Sequence, residues 1–344
     1  MKITTVGLDL AKNVFQAHGV DERGAAVLRK QLKRDQVAPF FARLQPCLIG
    51  IEACGGAHYW AAKLQALGHR VKMMAPQFVK PYVKTNKNDL LDAEAICEAV
   101  ARPNMRFVPT KSPEQQSVLA LHTARESFVH ARSAQANQIR GLLIEFGLIV
   151  PQGIRHVYKR VPELIEDANN ELPGRFRLLI DRLLQHLKEL DRQVRDLERE
   201  IELWHRSSAV SRRLETIPGI GPITASALVA SAGDPSNFKS ARQFAAWIGL
   251  VPHQNSSGGK TQLLGISKRG NVYLRTLLVH GGRCLVQLAK TRADQAGSWL
   301  GRLVSRRHHN IAAVAMANKN ARLAWALLSS GKAYEPGHKP APQA

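Results

Sequence analysis

The first 112 residues alternate short apolar runs with amphipathic stretches of helical length. Apolar runs of strand length predict strands, at Ile3–Asp9, Val14–Val20, Ala26–Leu32, Cys47–Ala53 and Arg70–Ala75. Helices are expected around Val37–Leu44 and Ala57–Leu67, the second of them ended by Gly68. The pattern therefore predicts an α/β domain over residues 1–112.

Three meandering strands come first in this order, and helices then alternate with the later strands. That succession is typical of the ribonuclease-H-like fold, in which the first and fourth strands lie side by side. Asp9 closes the first predicted strand and Glu52 closes the fourth. We therefore expect these two carboxylates to face each other at one edge of the sheet.

The middle of the chain carries a heptad-like repeat. Residues 113–150 are predicted to be helical, and residues 151–175, rich in Pro, Gly and Asn, to be irregular. Apolar residues then recur at alternating steps of four and three, at Phe176, Ile180, Leu183, Leu187, Leu190, Val194, Leu197, Ile201 and Trp204. This period predicts a coiled coil that packs against the 113–150 helix, pairs with another copy of the chain, or both. We favour both, which makes residues 113–205 an oligomerisation segment.

Residues 206–331 are predicted to form a mainly α domain. Within it, the stretch LETIPGIGPITA (214–225) looks like a helix-hairpin-helix element. Its turn residues Gly219 and Gly221 would present backbone N–H groups to a phosphate without recognising a base. The Gly/Ser-rich stretch Asn255–Lys260 is predicted to be a loop.

The chain is strongly basic, with a formal net charge of +22 and a pI near 10.3, which predicts a polyanionic partner. The charge is uneven: +8 over residues 1–112, −1 over residues 113–205 and +15 over residues 206–344. We therefore expect the C-terminal third to contact phosphates and the balanced middle to contact protein.

Other compositional features predict a cytoplasmic protein. The four cysteines have no zinc-ligand spacing, and we expect them to be reduced packing residues. No signal peptide is expected, because Asp9 interrupts the first apolar run, and no stretch approaches the ~20 apolar residues of a membrane span. Residues 332–344, with three prolines, are predicted to be a disordered tail.

Four acidic residues have positions suited to binding a cation, two at strand ends and two at the start of an apolar helical stretch. They are Asp9, Glu52, Asp89 and Asp92. A lone Asp at a strand end is usually a turn former or a helix cap. Four carboxylates gathered at one place repel each other unless a cation neutralises them. In so basic a chain, the set predicts a site for one or two Mg²⁺ ions that acts on nucleic-acid phosphodiesters.

Five motifs occur in an order that carries a family resemblance. They are GLDLAK (7–12), EACG (52–55), NKNDLLDA (86–93), IPGIG (217–221) and GLVPHQNSSGGK (249–260). Together they closely resemble the DEDD-type transposases of bacterial insertion sequences, the IS110 family with its IS1111 subgroup, over about residues 1–330. The resemblance implies an N-terminal RuvC-like domain and a C-terminal transposase domain with a nucleophilic serine. It also implies a structured RNA that guides the enzyme to donor and target DNA.

The family's functional residues can be matched one by one to this chain. Those that match its acidic tetrad are Asp9, Glu52, Asp89 and Asp92. Ser257 matches the serine, with Ser256 as the alternative if the alignment is off by one. Without the resemblance, this Ser-Ser-Gly-Gly stretch would be taken for a flexible surface turn. The match implies that the serine forms a phosphoserine bond to DNA at a Mg²⁺-dependent site.

Several basic residues have both a solvated and a nucleic-acid-binding interpretation. Those near the serine, which we expect to contact phosphates, are Lys260, Lys268, Arg269 and Arg275. Arg125, Arg132 and Arg140 share a helix face, which is either solvated or in contact with the guide RNA. The pair His308-His309 has no further ligand at metal spacing, and we expect it to be ordinary surface.

The sequence therefore predicts an RNA-guided DNA transposase that moves its own insertion sequence and works as a homo-oligomer, a dimer or a tetramer. One alternative keeps the acidic site and omits the serine, as a RuvC-like junction resolvase or nuclease that uses metal-activated water and forms no covalent intermediate. Another alternative is a non-catalytic nucleic-acid-binding protein. The presence of all four acidic residues argues against it.

Overall fold

The structure, a computed structural model, describes residues 2–83, 89–292 and 297–336, and of Asp89 only the backbone. The Asn86–Asn88 part of the acidic motif and the predicted tail beyond residue 336 lie outside these ranges. The chain divides into two units, Met1–Ser112 and Pro113–Ala344. In the described ranges, no helix has the length and apolar character needed to cross a membrane.

The first unit is built on a six-stranded sheet. Its strands are β1 (Thr5–Asp9), β2 (Val14–Val20), β3 (Ala26–Lys33), β4 (Leu48–Glu52), β5 (Arg70–Met74) and β6 (Phe107–Val108). Its helices are α1 (Arg34–Ala42), α2 (Ala57–Ala66), α3 (Pro76–Val79) and α4 (Asp89–Val100). The strand order is β3-β2-β1-β4-β5-β6, and β1 pairs with β4 in parallel. The predicted adjacency of the first and fourth strands is therefore confirmed, as is an N-terminal α/β domain consistent with a ribonuclease-H-like fold.

Side-chain alternation divides this sheet into two faces. On one face, buried apolar residues of β1, β2 and β4 pack with α1 and α2 in a core that includes Leu8, Phe15, Ile51, Phe41 and Trp60. Because successive residues of a strand point to opposite faces, the alternate positions of β1 and β4 face the other way. That second face contacts α4.

Among its described residues, the second unit has helices and one β-hairpin. Its helices are α5 (Pro113–Ile144), α6 (Ile154–Glu166), α7 (Gly174–Ser207), α8 (Ala209–Glu215), α9 (Pro222–Ala232), α10 (Ala241–Ile248), α11 (Val272–Thr291), α12 (Trp299–Val304) and α13 (His309–Ser330). The hairpin strands are β7 (Pro252–Ser257) and β8 (Lys260–Ile266). A core of buried residues from α8 to α11 and α13 holds the C-terminal part of this unit together.

The long helices α5 and α7 form an arm in which they run antiparallel. Arg125 pairs with Glu198 and Arg132 with Asp191, so higher residue numbers on one helix meet lower numbers on the other. Seam residues of α7, among them Ile180 and Leu187, are buried against α5 and α6. The apolar repeat therefore packs within the chain, and pairing of this seam with a second copy stays a prediction.

The prediction of irregular structure over residues 151–175 is wrong, because Ile154–Glu166 is a helix. Val157 and Val161, one turn apart, are fully buried against the arm and stabilise it. The Pro, Gly and Asn residues that suggested a loop lie mostly at the two ends of this helix. Pro162 lies inside the helix, where proline is normally unfavourable, and burial of the two valines outweighs this effect.

A buried polar contact joins the arm to the C-terminal helices of the same unit. His122 on α5 is only 1% exposed. Its Nδ1 lies 3.0 Å from the Tyr273 hydroxyl on α11, and its Nε2 lies 3.1 Å from the Ser226 hydroxyl on α9. Burial, and secondarily the charge of Arg125, lower the pKa of His122 to about 4, so the imidazole is neutral at pH 7.

The His122 contact should make the stability of this unit depend on pH. Unfolding restores an ordinary histidine pKa near 6.5, so below that pH the unfolded chain takes up the proton first. We expect the unfolding free energy of wild type to fall by about 3 kcal/mol from this group between pH 7 and pH 4. In urea titrations, His122→Gln should lose this dependence, and His156→Gln, an exposed histidine on α6, should retain it. Equal pH profiles for all three proteins would contradict the assignment.

Candidate active site

Two glycines allow α4 to lie directly on the sheet. Gly7 of β1 and Gly50 of β4 are paired residues in the parallel ladder. A Cβ atom placed on Gly7 would be 2.1 Å from the Ala93 carbonyl oxygen, and one on Gly50 would be 2.7 Å from Val100 Cβ. Because neither neighbour leaves room for a side chain, only glycine permits this approach of helix and strands.

This packing places three acidic residues at one edge of the sheet. Asp9 and Glu52 each lie two residues beyond one of the two glycines, so they lie on the face that α4 covers. Cys97 lies against the Thr5 carbonyl (3.7 Å), while the preceding turn of α4 lies against Gly7. The helix therefore runs opposite to β1, and Asp92 in its first turn lies towards the strand ends that carry Asp9 and Glu52.

The structure does not assemble these acidic residues into a closed metal-binding set. Asp9, Glu52 and Asp92 are all partly buried, and the Asp89 side chain lies outside the described residues. In the part of the chain that the structure describes, no group of three or more His, Cys, Asp or Glu side chains is close enough to hold a metal ion. The acidic residues of β1, β4 and α4 thus lie at the same edge of the sheet, but they do not form a complete set of metal ligands.

The local electrostatics confirm that negative charge gathers at this edge. The pKa of the Cys54 thiol, two residues after Glu52, is raised first by burial and then by the charges of Glu52 and Asp9. A nearby cation would relieve the same repulsion. The positive end of the α4 dipole also lies on the side of the carboxylates.

Sequence reasoning missed one residue beside this cluster. Gln16 of β2 pairs directly with Asp9, so both side chains lie on the same face of the sheet. Gln16 is 8% exposed, and its Oε1 is buried without a hydrogen-bond partner. Such an orphaned acceptor is rare in proteins and needs an explanation. The signal was present in the sequence as a polar residue within an otherwise buried strand.

The predicted loop that carries the serines is instead a β-hairpin. The turn residues Gly258 and Gly259 both have positive φ, 56° and 77°, as a tight hairpin turn requires. The prediction of a loop over Asn255–Lys260 is therefore wrong. Every residue of β7 is exposed, so the strand has no alternation of buried and polar positions by which it could be recognised.

The hairpin distinguishes the two candidate serines. Ser257 closes β7 and pairs directly with Lys260, which puts the hydroxyl and the ammonium group on the same face. Ser256 lies on the opposite face, where its hydroxyl accepts a hydrogen bond from Gln254 Nε2 (2.9 Å). Within the described residues, the Ser257 hydroxyl forms no hydrogen bond. The two hydroxyls therefore lie on opposite faces of the hairpin and differ in their hydrogen bonding, and the assignment of the nucleophile to Ser257 stays a prediction.

The base of the hairpin is fixed by close backbone contacts. A Cβ on Gly249 would be 2.0 Å from the Arg269 carbonyl oxygen, and one on Gly270 would be 1.8 Å from the Trp247 carbonyl oxygen. Arg275 Nη1 donates to the Ile248 carbonyl (2.9 Å), so this arginine also supports the base. Lys260 and Lys268 are exposed, and phosphate contacts by these basic residues stay a prediction.

The two glycines of the predicted helix-hairpin-helix element differ in their surroundings. The turn between α8 and α9 lies against α11, where a Cβ on Gly281 would be 1.9 Å from the Gly219 carbonyl oxygen. Gly219 also has φ +83°, so packing and backbone geometry both require glycine there. Gly221 is exposed just before α9, with open space around it. Phosphate binding by either glycine stays a prediction.

The arm arginines have protein partners. Arg125 and Arg132 form salt bridges with α7, and Arg140 donates to the Val150 carbonyl (3.0 Å). These contacts give all three a structural role that the sequence interpretation did not include. Their predicted contact with a guide RNA stays untested.

Trp204, the last residue of the apolar repeat, is only partly buried, and its indole nitrogen donates to Glu114 (2.9 Å). This bond ties the end of α7 to the start of α5.

Comparison with known proteins places this architecture in a family. Residues 6–147 match a DEDD-class model described as a transposase, and residues 211–296 match a model described as the transposase IS116/IS110/IS902 family. A probable family 20 transposase of Pseudomonas aeruginosa is 52% identical, over 98% of this chain and 100% of that protein. The transposase for IS1328 of Yersinia enterocolitica is 43% identical, over 96% of this chain and 98% of that protein. The transposase for IS1111A of Coxiella burnetii is also 43% identical, over 97% and 92%.

Filling the gap at Gly7 should displace the helix that carries Asp92. Gly7→Ala places a methyl group against a helix carbonyl that cannot move alone, and we expect a loss of about 3 kcal/mol in unfolding free energy. Gly55→Ala is the matched control, because its Cβ meets nothing within 4 Å. Chemical denaturation of the two variants measures the difference, and equal stability would contradict the packing described here.

Proposed function

Because the chain belongs to the IS116/IS110/IS902 family of insertion-sequence transposases and is a DNA transposase, we propose that it cuts and rejoins DNA through a covalent bond to Ser257. The observation that carries the proposal is the position of Ser257 at an exposed hairpin turn, paired with Lys260. A cation beside a hydroxyl attracts a DNA phosphate to it and stabilises the negative charge that develops in the transition state.

The proposed chemistry conserves the energy of the phosphodiester bond. The Ser257 hydroxyl loses its proton and attacks the phosphorus, the bond to the 3′-oxygen breaks, and that oxygen leaves as a 3′-hydroxyl after taking up a proton. A phosphoserine–DNA bond remains. The 3′-hydroxyl of another strand then attacks this bond and releases the serine, so no ATP is consumed.

The acidic edge fits a hard divalent cation. DEDD transposases are in general metal-dependent, and we propose Mg²⁺, one or two ions, held by Asp9, Glu52 and Asp92, with Asp89 from the same helix. Carboxylate and amide oxygens are ligands suited to Mg²⁺. The buried, unpartnered Gln16 Oε1 beside Asp9 fits the same donor set. A bound ion would supply neutralisation of the DNA phosphate at this edge.

We further propose a structured guide RNA and assembly as a dimer or tetramer. The +15 charge of residues 206–344 supports binding of more than one nucleic-acid strand. Near the end of the arm, Ile149 and Leu178 are exposed by 72% and 73%, which supports a further protein contact there. If pairing with the RNA recognises the DNA sequence, the protein would contact mainly the DNA backbone and recognise the shape of the duplex.

Loss of the serine should abolish the covalent protein–DNA species. With DNA carrying the element ends, Ser257→Ala should give no adduct on denaturing gels, because no other hydroxyl replaces the nucleophile. DNA binding should be unchanged. Ser256→Ala is the matched control and should retain the adduct.

An adduct that persists in Ser257→Ala would discard the assignment. Cleavage by wild type with no adduct at any time would favour the nuclease alternative, which uses water in place of the serine.

The proposed ion can be tested without measuring activity. In chelator, Gln16→Leu should be as stable as wild type or up to about 1 kcal/mol more stable, because it removes an unsatisfied buried acceptor. With Mg²⁺ added, its thermal stabilisation should be smaller than that of wild type, and Asp9→Asn should lose most of it.

Gln31→Leu is the control, since this glutamine lies opposite Gln16 on β3 and is exposed. A full Mg²⁺ shift in Gln16→Leu would exclude Gln16 from the site.

A further inference from the structure

The ends of α11, α12 and α13 form a rigid platform in the second unit. Val286, Ala312 and Ala313 are buried beneath it, with residues of α12 packed against them. A Cβ placed on Gly282 would be 2.4 Å from the Ala313 carbonyl oxygen, so α11 and α13 touch through their backbones. Side chains carried on the outside of this junction therefore have fixed points of attachment.

Six basic side chains lie on this platform, and all are exposed. This cationic cluster consists of Arg283, Lys290, Arg306, Arg307, His308 and His309. Arg283 and Lys290 lie seven residues apart on α11, so they share one face of that helix. The other four are consecutive, at the turn from α12 to α13, and the two imidazole rings are 4.0 Å apart between centroids.

Positive groups of the cluster lie close enough to affect the pKa of one of its histidines. The pKa of His309 is lowered, first by desolvation and then by the charges of His308, Lys290 and Arg283. His308 Nδ1 accepts a hydrogen bond from the Asn310 backbone N–H (3.3 Å), so in the neutral ring Nε2 carries the proton and can donate it. These contacts bring residues of α11 and of the α12–α13 turn to one place.

The cluster has no carboxylate partner among the described residues. Its arginines and its lysine form no salt bridge, and Arg306 Nε donates instead to the Arg302 carbonyl (3.0 Å). The arm arginines Arg125 and Arg132, by contrast, are neutralised by acids. Like charges gathered without counter-charge raise the free energy of the folded chain, and a bound anion lowers it.

We propose that the cationic cluster binds the phosphodiester backbone of duplex DNA. The turn forms a recess of about 400 Å³, lined by Leu303, Arg306 and Arg307, that can receive a phosphate. Arg283 and Lys290 are separated by about 10 Å along α11, while each strand of duplex DNA has one phosphate per about 3.4 Å of helix axis, so the cluster is long enough to reach more than one phosphate. The inference rests on the proposed function, since it requires a protein that binds nucleic acid.

The salt dependence of DNA binding tests this site in the full-length protein. Each phosphate contact that is lost should make the slope of log K against log salt less negative by about 0.9. Arg306→Ala/Arg307→Ala should therefore change the slope by up to about 1.8, to the same extent for duplexes of unrelated sequence. Fluorescence anisotropy with labelled duplex DNA, at several salt concentrations, measures it.

Two further variants separate a phosphate contact from other effects. Arg192→Ala/Arg195→Ala removes the same charge from the arm, where both side chains already pair with acids, and should leave the slope nearly unchanged. Arg306→Lys/Arg307→Lys keeps the charge and should restore the wild-type slope, which a purely structural role of the arginines would not allow.

Three results would overturn the proposal. One is a slope for Arg306→Ala/Arg307→Ala equal to that of the arm control. Another is a loss seen with duplex RNA and not with duplex DNA, which would assign the cluster to RNA. The third is a wild-type protein that binds no nucleic acid, which would overturn the proposed function as well.

Discussion

The direct contact between α4 and the backbones of β1 and β4 is the constraint on which the acidic site depends. Two paired glycines, Gly7 and Gly50, remove the side chains that would hold the helix away from the sheet. Side chains two residues apart on a strand lie on the same face of the sheet. Asp9 and Glu52, two residues after Gly7 and Gly50, therefore lie on the face that α4 covers. The packing of α4 on β1 and β4 thus brings carboxylates from two strands and one helix to a single edge of the sheet.

Much of the first unit could be predicted because its strands obey the simplest rule of burial. Apolar runs bounded by turns gave β2 with its observed bounds and placed the other long strands within two residues. The adjacency of β1 and β4, and with it that of Asp9 and Glu52, followed from the order of elements. Gln16 was missed because the sequence shows a polar residue in β2 but not which residue of β2 pairs with Asp9, which depends on the register of the two strands.

The secondary structure of the second unit was harder to predict from the sequence, because some of its elements have few buried residues or none, and so show no clear periodic pattern. Residues 154–166 form a helix whose buried face is two valines, in a segment otherwise marked by helix-breaking residues. No side chain of the β7–β8 hairpin is buried, so its strands have no burial pattern, and its Gly/Ser-rich turn was interpreted as part of a loop. Charge was more informative. In the balanced middle of the chain, arginines such as Arg125 and Arg132 pair with acids, whereas residues 206–344 contain 19 basic residues and only four acidic ones.

The placement of Ser257 on an exposed two-stranded hairpin has an energetic consequence. Such a hairpin is marginally stable on its own in water, and this one is anchored at its base, through Gly249, Gly270 and the backbone bond from Ser267 to Val251. Ordering its far end costs conformational entropy that the chain's own packing does not offset. Under the proposed function, contacts between DNA phosphates and Lys260 would offset this cost. On this proposal, binding of DNA would order the far end of the hairpin, and the geometry of Ser257 would then depend on the presence of its substrate.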